Sequence, residues 1–177
     1  LKKMFKQNLF IERLSTDEEW YQLHPFFRSY LEARLRREST GQWTKLHRKA
    51  REWFEQNGMP NYAIKHAIDS GDSQLLGELL EKSCYDLLIN SQYMELMGWA
   101  RILSDDDIMK RPKLCFAVAF NSILVHQFSE GRQLLASLVD SASVRRKLGE
   151  FSNGLPVLLG MDAAFRDDVD DAMQHCL

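Results

Sequence analysis

The chain has 177 residues, 45% hydrophobic and 27% charged, with a formal net charge of −2. A polypeptide of this size and mix can bury a real core as one or two globular units, which excludes an intrinsically disordered segment. Its longest apolar stretch, 114–120 resuming at 123–125, is interrupted by Asn121 and Ser122 and is too short to span a bilayer.

The opening residues hold no basic stretch followed by an apolar run, so no secretory leader is read. The chain starts at Leu1 rather than methionine, and a helical pattern is still running at Ala172, Met173, Cys176 and Leu177. Both features are expected of a segment excised from a longer protein. Leu9-Phe10-Ile11 and Tyr21-Gln22-Leu23 are short apolar-aromatic runs separated by a polar stretch containing Ser15-Thr16-Asp17, which predicts two strands joined by a wing-like hairpin.

The second strand runs straight into Leu23-His24-Pro25. Pro25 fits the first position of a helix and biases His24 toward extended geometry, so the imidazole should lie beside a helix N-terminus, a place that suits an anion. Plain capping or packing at a strand-to-helix turn is the alternative. Phe26, Phe27, Tyr30, Leu31 and Leu35 recur at helical spacing, on a helix expected to end near Ser39-Thr40-Gly41.

Helix signals then come at short intervals. Trp43, Leu46, Ala50, Trp53 and Phe54 form a stripe closed by Asn57-Gly58, and Pro60 opens the next helix, carrying Ala63, Ile64, Ala67 and Ile68 to a stop at Ser70-Gly71. Asp72 reads as the N-cap of a third helix with Leu75, Leu76, Leu79 and Leu80. A further stripe from Tyr93 to Leu103 leads to Ser104-Asp105-Asp106-Asp107, acids suited to a helix N-terminus.

Two helical hairpins follow: residues 114–126 with 134–139 about a turn at Phe128-Ser129-Glu130-Gly131, and 155–165 with 169–173 about Arg166-Asp167-Asp168. Phe128 and Phe165 are 37 residues apart, near the 34-residue tetratricopeptide period with a small insertion. The segment 141–153, with Gly149 and Asn153-Gly154, is expected to be a mobile loop. The fold class predicted is mostly α: the end of a winged helix, then an α-solenoid of tetratricopeptide-like hairpins. Such arrays leave a concave face, and Trp99, Phe116, Phe120, Asn121 and His126 are candidates to border a pocket on it, with core packing the alternative for each.

No catalytic constellation is legible. Cys84, Cys115 and Cys176 lack Cys-x-x-Cys spacing and fall among apolar residues, which excludes a zinc or disulfide scaffold and predicts core thiols in a reducing cytoplasm. The five histidines have no H-E-x-x-H spacing. Asp167-Asp168-Val169-Asp170-Asp171 has D-D-x-x-D spacing, but without a second aspartate-rich motif it reads as an acidic helix start. No metal site is expected. Between residues 28 and 51, eight basic side chains face Glu32 and Glu38 alone, a basic patch better suited to an acidic neighbouring surface than to direct nucleic-acid binding.

Leu23-His24-Pro25 resembles the leucine-histidine junction in the winged helix of STAND-class signalling ATPases, in particular the MalT-type regulators of the LuxR superfamily. Pro25 stands where that motif often has an aspartate. The run 46–58 with Ala63-Ile64-Lys65-His66-Ala67-Ile68-Asp69-Ser70-Gly71-Asp72 is similar to the helical arm of those proteins, and Arg111-Pro112-Lys113-Leu114-Cys115 to the start of their repeat domain. The resemblance implies a winged-helix end at 1–38, an arm at 39–110 and a sensor repeat start at 111–177. It implies that His24 contacts the phosphates of ADP in the parent protein, whose cofactors would be ATP and ADP. Expected partners are the adjoining ATPase and DNA-binding domains and a small-molecule inducer, with no nucleic acid or membrane bound directly. With no Walker loop present, the chain is not expected to be an enzyme by itself. The alternative is a free-standing helical-repeat scaffold.

Overall fold

Proline sets the start of three helices in this chain. The computed structural model describes residues 10–14, 20–139 and 142–176. In it Pro25, Pro60 and Pro112 each open a helix, where the N–H they lack would have had no intrahelical acceptor anyway. The chain divides into two compact units, residues 1–49 and 50–177.

In the first unit, β1 (Ile11–Arg13) pairs antiparallel with β2 (Tyr21–Leu23), in the register Ile11↔Leu23, Glu12↔Gln22 and Arg13↔Tyr21. Ile11 points to the buried side, and Phe10 before it takes a left-handed φ of 52° and stacks on Phe27 at 5.0 Å. The first strand therefore starts two residues later than expected. The polar connection, at 15–19, lies outside the described residues. α1 (Pro25–Glu38) follows β2 after His24 alone. At Ser39 the backbone leaves helical geometry, and α2 (Thr40–Gln56) begins at once. Thr40 and Gly41, read as part of a stop, are the first turn of this next helix. Trp43 is buried, with the Arg36 guanidinium 4.2 Å from its ring.

The second unit takes in the end of α2 and a series of closely joined helices. α3 (Pro60–Ser70) ends on Gly71, whose φ of 74° is cheap only for a residue without Cβ. α4 (Ser73–Ile89) is capped by Asp72, whose carboxylate accepts from the Leu75 N–H. Next come α5 (Tyr93–Ala100) and α6 (Asp105–Met109), the latter capped by Ser104 and carrying three aspartates in its first turn as expected. α7 (Pro112–Leu124) and α8 (Phe128–Val139) form a hairpin, α9 (Ala142–Lys147) and a 3-10 turn (Gly149–Phe151) follow, and α10 (Gly154–Phe165) with α11 (Val169–Cys176) forms another. α4 and α7 are central: Ile64, Leu80, Leu96, Leu114, Ile123 and Leu158, from five helices, lie fully buried in one continuous cluster.

The fold class is as expected: mostly helical, with a short antiparallel hairpin leading into a run of helices. Two local expectations are corrected. The turn of the 114–139 hairpin falls at Val125-His126-Gln127, where His126 takes φ 61°, while Phe128 to Gly131 already belong to α8. Gly131 is there for contact: a Cβ would stand 2.8 Å from Ile123 Cγ1 on α7. Within 141–153, residues 142–147 and 149–151 are helical, and Leu148 and Phe151 are buried, so hydrophobic anchoring orders part of what reads as a loop. Ser141 lies outside the described residues. Among the described residues, no helix is long and apolar enough to cross a membrane.

Candidate functional site

His24 sits where the sequence puts it, at the N-cap of α1 with φ −51° and ψ 133°. Its N–H donates to the Phe10 carbonyl at 2.7 Å and its carbonyl accepts from the Arg28 N–H at 2.9 Å, so the backbone of this residue ties the β-hairpin to the helix. The imidazole makes no capping hydrogen bond. It is half-buried and stacks on Phe26 with centroids 5.7 Å apart. Pro25 has no N–H, and the next two donors, on Phe26 and Phe27, have no acceptor among the described residues. Two free backbone donors, the positive end of a helix of 14 residues and an imidazole come together at one place. That donor set fits a phosphate oxygen.

Much of the basic run that follows is paired along its own helices. Arg34 Nε lies 3.0 Å from both carboxylate oxygens of Glu38, and Arg28 lies 3.6 Å from Glu32. In the second unit Arg51 pairs with Glu52 and Glu55, and Glu55 also accepts from Lys82 at 2.7 Å. The Lys82 hydrogen bond is the main reason the Glu55 carboxyl titrates below its ordinary value, with Arg51 adding to it. Residues 1–49 carry eleven basic and six acidic residues, net +5, and residues 50–177 carry twelve and nineteen, net −7.

The five candidates for a pocket in the repeats do not act together. Phe116 and Phe120 do share a groove of about 240 Å³. Its other walls come from Tyr85, Tyr93 and Phe151, the last 4.9 Å from Phe116 and 5.5 Å from Tyr85 between ring centroids. Asn121 is buried and structural, its Nδ2 donating to the Tyr93 carbonyl at 3.0 Å. Trp99 packs against the core, and His126 is exposed on the hairpin turn. Sequence reasoning missed Phe151, because it lies in the segment read as a loop; its own signal was an aromatic isolated among polar residues.

Phe128 and Phe165, paired by their 37-residue spacing, meet with centroids 5.2 Å apart. Beside them the buried Asp162 carboxylate accepts from Arg132 at 2.6 Å and from Arg166 at 3.2 Å, joining the two hairpins. The D-D-x-x-D segment straddles the start of α11: Asp167 takes φ 57° and Asp168 lies 3.8 Å from Arg166. It forms an acidic helix start, as expected; the side chain of Asp171 lies outside the described residues. Cys84 and Cys115 are buried core thiols, and burial pushes Cys84 up to about 12. The side chain of Cys176 lies outside the described residues.

Residues 1–56, about a third of the chain, match the family described as the MalT winged helix domain. That stretch holds the β-hairpin, His24, α1 and all of α2, and the match supports a MalT-type transcription regulator at the level of the family. No solved structure matches the chain.

Proposed function

We propose that the chain is the regulatory middle of a MalT-like, ATP-dependent transcription activator of the STAND class, coupling inducer binding to a nucleotide-controlled switch. In this reading 1–38 closes the winged helix, 39–110 is the arm and 111–177 begins a tetratricopeptide-like sensor domain in the cytoplasm. The observation that carries it is a coincidence of two independent facts: the free donors at the start of α1 sit beside His24, and both lie inside the stretch that matches the MalT winged helix domain.

His24 and the N–H groups of Phe26 and Phe27 are the residues that would hold a phosphate of ADP. When bound, ADP supplies the negative charge those donors lack. Because Pro25 replaces the acid often found after the histidine, His24 would act with backbone donors rather than with a neighbouring carboxylate. A phosphate held at this junction favours the resting arrangement, and inducer with ATP shifts the population toward an active one. The adjoining ATPase and DNA-binding domains supply the hydrolysis and promoter binding that this chain does not.

The test is His24→Ala in the full-length regulator. Loss of retained ADP on gel filtration together with raised inducer-free transcription is the expected result. Unchanged nucleotide retention and unchanged basal transcription would overturn the reading and favour a helical-repeat scaffold with no nucleotide connection.

A further inference from the structure

A second set of unused polar groups lies in the second unit, far along the chain from His24. α3 opens at Pro60 without a side-chain cap, and the donors after it, the N–H groups of Asn61 and Tyr62, have no acceptor among the described residues. Facing them is α4. Its Ser83 side belongs to a residue only 7% exposed, and the hydroxyl has no hydrogen-bond partner among the described residues. One turn further on, the carboxylate of Asp86 makes no ion pair among the described residues, while its backbone carbonyl accepts from Asn90.

Asn61, Tyr62, Ser83 and Asp86 line one cleft of about 370 Å³, with Met59 and Leu87 as its apolar lining. The volume falls within the range of about 300–1,000 Å³ usual for small-molecule sites. The unpartnered hydroxyl of Ser83, on a residue only 7% exposed, and the orphaned start of α3 are separate observations, and both border the same cleft. Ser83 and Asp86 also border an adjoining cleft of about 300 Å³, which the Lys82–Glu55 ion pair flanks.

The charges of the cleft select the ligand. The start of α3 is electropositive, from free N–H groups and the helix dipole, and Asp86 on α4 is negative. A phosphate would face Asp86, and among the described residues no Lys or Arg lines this cleft to offset the repulsion. A divalent cation would find a single carboxylate, whereas such ions take several oxygen ligands. A molecule that carries both signs satisfies both walls at once.

We propose that this cleft binds a free α-amino acid with an apolar side chain. Its carboxylate accepts from the Asn61 and Tyr62 N–H groups, its ammonium meets Asp86, its side chain lies on Met59 and Leu87, and Ser83 hydrogen-bonds the polar end. The inference rests on the second unit alone and holds whether or not the chain is a MalT-like regulator.

The experiment is a titration of the isotope-labelled chain, followed by amide chemical shifts, with L-leucine and two truncated analogues: 4-methylpentanoate, which lacks the amine, and isopentylamine, which lacks the carboxylate. Leucine should give saturable shifts at Asn61, Tyr62, Ser83 and Asp86, and each analogue should bind about tenfold more weakly or worse. Asp86→Asn, at an exposed position, should weaken leucine by about tenfold while leaving 4-methylpentanoate no weaker. Absence of saturable leucine shifts at these amides up to about 10 mM would overturn the proposal. So would equal binding of either analogue to the unsubstituted chain, a comparison that needs no variant to fold.

Discussion

The two units bury their apolar side chains very differently. In the second, α4 and α7 bury one face after another in a shared cluster, with Leu80, Leu96 and Leu114 wholly out of solvent. In the first, α1 buries no residue at all, and Phe26 and Tyr30, one turn apart on it, are 83% and 58% exposed. The apolar spacing of the two helices is similar in sequence; what differs is whether other elements cover the stripe. Amphipathic spacing marks a face suited to burial, and in the second unit that cover is supplied by the unit's own helices. The charge contrast, +5 against −7, runs along the same division.

The largest expected effect comes from removing core in the second unit. Leu80→Ala should lower the unfolding free energy by about 2–5 kcal/mol in a urea titration, because the site is fully packed and cannot collapse around the lost atoms. A loss under about 1 kcal/mol would mean that the cluster is not what holds the unit together.

Next in size is Gly77→Ala on α4. A Cβ there would lie 2.5 Å from Cζ of Arg111, a buried side chain that donates to the Asp107 and Gln74 carbonyls. Alanine ordinarily favours a helix over glycine, yet here the displaced guanidinium should cost about 1–3 kcal/mol net, read by the same titration.

Glu55 tests electrostatics in the second unit. Its carboxyl titrates lower in the folded chain, so the stabilisation it gives is full above its ordinary value of 4.5 and is lost as pH falls through the lowered one. The Tm of the parent chain should exceed that of Glu55→Gln near neutrality, and the gap should close in acid. A gap that persists or widens there would show that another group sets the acid limb.

Smallest is Phe26→Ser in the first unit, expected to change stability by less than about 0.5 kcal/mol, since this side chain is already in water. A large loss would erase the contrast between the two helices.

Much of the helical layout was legible because helix boundaries are written in a few neighbouring residues. Proline at 25, 60 and 112, the Asp72 and Ser104 caps, and Gly58 and Gly71 with positive φ each act within one turn of chain. The His24 junction belongs with them: its backbone geometry follows from the proline beside it. The turn at 125–127 was not legible, because a histidine takes the left-handed position there while the nearby Gly131 serves a contact across the hairpin. Phe116 and Phe120 could be named as groove candidates, but their companions Tyr85 and Phe151 come from distant parts of the chain.

Local spacing along the chain was enough to place most helix starts and stops, a mostly α fold after a short hairpin, and His24 at the N-cap of α1. Those properties depend on contacts within a turn or two, where spacing along the chain is spacing in space. Only the tertiary structure decided that Arg111 lies over Gly77, that Asp162 joins two arginines from adjacent hairpins, and that Ser83 and Asp86 face the free donors of α3. Each of these joins residues that no short-range spacing relates, and each is fixed by which helix faces pack together.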